Sequence, residues 1–110
     1  MATYSVEQQN TAITTATTTT VFSALGAAAD EGRIKQGMMT VRNKGAASNT
    51  ITVIKNDGTA YEMSETTLGA GEEWQNPWDT AITGTATTMT LISSSTSALD
   101  VTVSFIKKVA

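Results

Sequence analysis

The chain has 110 residues, seven basic and ten acidic, for a formal charge of −3, and it contains neither cysteine nor histidine. Those absences exclude disulfide scaffolding, thiol catalysis, a Ser-His-Asp arrangement and most zinc or copper sites; mild acidity without a basic run leaves no electrostatic footprint for nucleic acid. The length is that of one domain, able to bury roughly two-thirds of its unfolded surface, and with aromatics at 5% its core has to be built from Val, Ile, Leu, Met and Ala.

Threonine fills about a fifth of the chain. Its β-branch restricts χ1 and suits a pleated surface better than a helix, so the expected fold is all-β. A mucin-like stalk is also Thr-rich but carries many prolines, and here Pro77 stands alone. The opening Met1-Ala2-Thr3-Tyr4-Ser5 lacks the positive and apolar regions of a signal peptide. No apolar run nears the roughly 20 residues of a bilayer span, so no membrane partner is expected.

Tyr4 and Val6 share one parity, and residues 10–20 are polar and β-prone, with no large anchor before Val21 and Phe22. Residues 1–20 are therefore expected to form an extended arm or edge strand, ordered on docking, ahead of a β-sandwich domain over 21–110. The glycine-flanked stretch 26–32 lacks the Lys-Ser/Thr ending of a phosphate loop and reads as a plain connection. In 33–43, Ile34, Met39 and Val41 are the expected inward residues, with a bend or bulge near Gly37.

Residues 50–55 alternate, with Ile51 and Val53 together, and Asp57-Gly58 supplies the positive φ angles of a tight hairpin turn. The return strand is expected to point Tyr61 and Met63 inward. Residues 68–74 read as a turn into a strand, and Asn76-Pro77 as a break. In the last third Met89 and Leu91 share one parity, as do Leu99, Val101, Val103 and Phe105; such period-two runs mark half-buried strands. Joined by the small polar segment 93–98, they read as a hairpin whose longer second run is the best candidate for a central strand. The whole chain holds eight or nine such runs. Short strands at this spacing mean an antiparallel sandwich or barrel.

Only Glu72, Glu73, Trp74, Trp78 and Asp79 have a chemical flavour. Aromatic faces beside carboxylates are the materials of a sugar site, but adjacent Glu72 and Glu73 point to opposite faces of a strand and cannot act as a catalytic pair. Glu73 with Asp79 across a bend is the remaining combination. The simpler reading makes the tryptophans anchors, one at the sandwich end and one under the proline turn. The Asp-x-Asx spacing of a calcium loop is absent, so no metal, other cofactor or enzymatic activity is expected.

The order of features resembles the small β-sandwich virion proteins of tailed bacteriophages, among them capsid decoration (cement) proteins and head or tail fibre modules. The residues that carry the likeness are the Thr-rich start, Val41-Arg42-Asn43 closing a strand, TITVIKNDG (50–58), Thr67-Leu68-Gly69-Ala70-Gly71-Glu72 and the closing ALDVTVSFI (98–106). The resemblance implies a single jelly-roll-like sandwich, no catalytic residues, a trimer, and a place in the virion after assembly in the host cytoplasm. The expected function is that of a capsid decoration protein on the major capsid protein. The alternative is a carbohydrate-binding or host-adhesion module of a fibre or tail, using Trp74, Trp78, Glu73 and Asp79. Independently of the resemblance, Met38, Ile54, Ile92 and Ile106 are apolar on the outward parity, which points to a second apolar surface and a homo-oligomer.

Overall fold

The computed structural model describes residues 4–23, 34–56, 59–78 and 88–108. They form eight strands: β1 (Tyr4–Ile13), β2 (Thr18–Ser23), β3 (Ile34–Asn43), β4 (Asn49–Asn56), β5 (Ala60–Leu68), β6 (Glu73–Trp78), β7 (Thr88–Ser93) and β8 (Leu99–Lys108). One sheet has the order β1-β8-β3-β6 and the other β2-β7-β4-β5, with every ladder antiparallel. The pairing is nested: first strand with last, second with seventh, third with sixth, fourth with fifth. A long antiparallel ribbon rolled on itself in this way is a jelly roll, the sandwich expected from the sequence.

The core lies between the sheets and follows the period-two pattern. Met39 and Val41 of β3, Ile51 and Val53 of β4, Met89 and Leu91 of β7, and Leu99, Val101, Val103 and Phe105 of β8 are all buried. β8 is the central strand, bonded to β1 on one side and β3 on the other. Two consecutive residues of β2, Val21 and Phe22, are both buried. Strict alternation would expose one of them, but the ladder with β7 skips Val21 between Thr20 and Phe22, and a bulge of this kind turns both side chains inward.

Three local expectations are corrected. β7 and β8 are not a hairpin, because they belong to different sheets and the 94–98 segment crosses between them; it holds none of the Gly, Asn or Asp that a two-residue turn needs. Asn76-Pro77 does not break β6, which continues to Trp78. It is an edge strand, where a missing N–H is tolerated. Tyr61 and Met63 are exposed, at 53% and 37%. Met63 is the extra residue of a bulge, with Ser64 opposite Val53 and Glu62 opposite Ile54. Tyr61 lies opposite Lys55, past the last apolar core residue of β4, where the Lys55 ammonium sits 5.8 Å from its ring centre. The irregularity expected near Gly37 is present, between Ile34 and Gln36.

The expected β4–β5 pairing is present, while its turn residues Asp57 and Gly58 lie outside the described residues, as do 26–32 and 79–83. Residues 4–13 of the N-terminal segment pair along their whole length with β8. The β8 parity makes a direct test. Val103→Ala is expected to destabilise by about 1–3 kcal/mol, and Thr102→Ala, on the outer face, by well under about 1 kcal/mol. The reverse ranking in urea unfolding would contradict the register.

Candidate functional site

A β-sandwich meets its surroundings through two outer sheet faces and two ends, and the register shows which side chains each presents. On the β1-β8-β3-β6 sheet the outward residues of β8 are Asp100, Thr102, Ser104 and Ile106, and those of β3 are Met38, Thr40 and Arg42. Val6, 78% exposed, stands opposite Ile106; Pro77 stands opposite Met38. Ile106 and Met38 are diagonal neighbours, close enough for their side chains to meet. The result is a stripe of four apolar residues running obliquely across the sheet. Its other end is charged, with Arg42 in register between Asp100 and Glu73, and the Lys44 ammonium 3.1 Å from the Asp100 carboxylate.

The outer face of the second sheet is a field of hydroxyls. Thr18 and Thr20 of β2, Thr88 and Thr90 of β7, Thr50 and Thr52 of β4 and Thr67 of β5 all point there. The Thr50 and Thr67 hydroxyls are bonded at 2.8 Å, and Thr52 donates to Glu65 at 3.3 Å. Ile54 is opposite Thr90 and Ile92 opposite Thr52, which makes the two isoleucines diagonal neighbours within this field. The four outward apolar residues singled out in the sequence thus form two pairs on opposite faces. All four are half-buried.

Trp74 and Glu73 point to opposite sides of β6. Trp74 stands opposite Val41 and packs against the core, whereas Glu73 stands opposite Arg42 and is exposed. The ladder puts Trp78 opposite Gly37, and Asp79 lies outside the described residues.

A feature not anticipated from the sequence lies at one end of the sandwich, where the chain crosses between sheets at 14–17, 44–48, 69–72 and 94–98. Two asparagines hold the last three of these crossovers, and both are completely buried. Asn43 Nδ2 donates to the carbonyls of Ala47 (2.8 Å) and Leu68 (3.0 Å), while its Oδ1 accepts from Ser97 Oγ (2.7 Å) and the Gly45 N–H (3.1 Å). Asn49 Nδ2 donates to Ser93 Oγ (2.8 Å) and the Ser97 carbonyl (3.1 Å), and its Oδ1 accepts from the Ser94 N–H (3.0 Å). Each amide uses both its oxygen and its nitrogen to replace backbone pairing that the crossovers lack. The 69–72 turn joins the set: Gly71, at φ 80°, donates to the Asn43 carbonyl at 2.7 Å. The signal in the sequence was parity, since Asn49 shares the inward parity of Ile51 and Val53, and Ser93 that of Met89 and Leu91.

Gly45 sits inside this network. A Cβ there would overlap Ser97 Oγ and come within 2.7 Å of the Ala98 backbone nitrogen, so Gly45→Ala has to push two crossovers apart. The expected cost is about 2 kcal/mol or more, read as a fall in the denaturant midpoint. A neutral substitution would show the crossovers to be loosely packed.

Neither a known protein family nor a curated protein matches the sequence. Solved structures do match in fold. A subunit of Bacillus endospore appendages, from a family of disulfide-linked pili, is 9% identical; the match covers 100% of this chain and 92% of that one, with a TM-score of 0.63. A chain of infectious bursal disease virus, strain Gx, is 14% identical over 96% of this chain, at a TM-score of 0.63, and this chain spans 32% of its length. The PBSX exported protein XepA is 11% identical over 96% of this chain and 38% of its own, at a TM-score of 0.58. At these identities the likeness is one of fold.

Proposed function

We propose that the chain is a noncatalytic structural protein of a virion, and within that class a capsid decoration protein seated on the outside of a phage head against the major capsid protein. One observation carries the reading. The buried amides at the crossover end are engaged in fastening loops to one another, so the polar chemistry of that end is scaffolding, and what the described residues offer outward is two broad sheet faces. Each combines many small polar side chains with one apolar pair, Met38 with Ile106 or Ile54 with Ile92. Such faces suit repeated contact in an assembled shell. The fold likeness to a pilus subunit and to a virus chain supports the same class, although this chain has no cysteine with which to make the disulfide links of those pili. Assembly as a trimer through one of the two apolar pairs belongs to this proposal.

The test is co-sedimentation of the purified chain with phage heads that lack decoration protein. Saturable attachment, with a rise in the temperature at which the heads rupture, is the expected result. No attachment, together with glycan-dependent quenching of tryptophan fluorescence, would replace this reading with that of a fibre or tail adhesion module.

A further inference from the structure

Among the described residues, each sheet ends in two strands that have only one strand neighbour: β1 and β6 in one sheet, β2 and β5 in the other. An edge strand offers its outward N–H and C=O groups to any extended segment that approaches. All four of these edges carry a feature that spoils the offer, and the four features differ.

On β6 the obstacle is Pro77, which stands opposite Met38 within the ladder and has no N–H for a further strand. On β5 it is the bulge at Met63, which breaks the regular spacing of the edge between Ser64 and Glu62. β2 has the bulge at Val21, and two residues later its backbone is already occupied. The Ser23 N–H donates to Gln9 Oε1 at 2.9 Å, and Gln9 Nε2 donates to the Ser23 carbonyl at 3.1 Å. A side-chain amide thus fills the place that the peptide group of an added strand would take.

β1 is the informative case. Its residues opposite Phe105, Val103 and Val101 face into the sandwich, and they are Glu7, Gln9 and Thr11. Glu7 Oε2 is buried and has no hydrogen-bond partner among the described residues. A carboxylate oxygen held that way weakens the fold, and an apolar side chain opposite Phe105 would pack better. An inward charge on an edge strand makes sense against association, since a strand added beside it would bury the charge completely.

We propose that these features together close the sandwich to strand addition by a second copy of the chain, so that it joins its own kind through sheet faces or ends and not by extending a sheet. This inference does not depend on the virion reading. The test compares wild type with Glu7→Val and Pro77→Thr by sedimentation velocity and by amide hydrogen exchange over a concentration series. Glu7→Val is expected to raise the melting temperature and yet shift the protein to larger species as concentration rises, with new protection along Tyr4–Ile13. Pro77→Thr should do the same along Glu73–Trp78, and either variant decides the matter if the other does not fold. Wild-type edge amides that gain protection with concentration would overturn the proposal, as would folded variants that show neither the mass shift nor the new protection.

Discussion

Phe105→Ala is expected to destabilise the protein by about 3–5 kcal/mol, the upper range for truncating a buried aromatic. The ring is 2% exposed and hangs from the central strand β8. It meets Phe22 of the opposite sheet edge-on, with centroids 5.2 Å apart and planes at 87°; this geometry adds about 0.5–1.5 kcal/mol beyond the area buried. The β3 residue opposite Phe105 is Gly37, which has no side chain to swing into the space left behind. Rigid neighbouring ladders leave a cavity that cannot collapse, and that is the condition for a large loss. A domain of this size has about 5–15 kcal/mol in total, so the variant should be close to its unfolding midpoint in mild urea. A loss below about 1.5 kcal/mol would mean that the ring is not the bridge between the sheets.

Asn49→Ala should cost about 3 kcal/mol or more, because the substitution strands several buried groups at once, each at roughly 1–3 kcal/mol. Ser93 Oγ and the Ser97 carbonyl lose a donor, and the Ser94 N–H is left with the Thr50 carbonyl at 3.1 Å as its acceptor. For a chain of this length that is a fall of about 12 °C or more in melting temperature. Thr96→Ala, at an exposed position of the same 94–98 segment, should cost far less. Equal effects of the two substitutions would show that the network acts through its loops and not through the asparagine.

The strands were legible because their side chains alternate. Ile51 with Val53, Met89 with Leu91, and the four inward residues of β8 declare both an element and its buried face. What alternation could not declare is which sheet a strand joins. The Ser-rich 94–98 segment has the length of a hairpin loop, and what holds it as a crossover, the Asn43 and Asn49 amides, lies on distant strands. Bulges were hidden for a related reason. A single skipped residue, Val21 or Met63, reverses the parity beyond it without altering composition. At the candidate surfaces, alternation identified Met38, Ile54, Ile92 and Ile106 as outward-facing, but their division between two faces depends on topology. Val6 and Pro77 joined the stripe only through register with Ile106 and Met38.

The nested pairing also sets the order in which the chain can fold as it is made. β4 and β5 are close in sequence and can pair as soon as both have emerged, but β1 has to wait for β8, whose Lys108 is the ladder partner of Tyr4. Because β8 lies inside its sheet, that sheet is incomplete until residues 99–108 are synthesised; until then β3 has only β6 beside it, and β1 has no ladder partner. Ladders between such distant segments close slowly, since loop entropy is lost before contacts compensate. A growing chain therefore carries an unpaired β1 through most of its synthesis, and the parity of β1 that waits to face the core there is polar, with Glu7, Gln9 and Thr11.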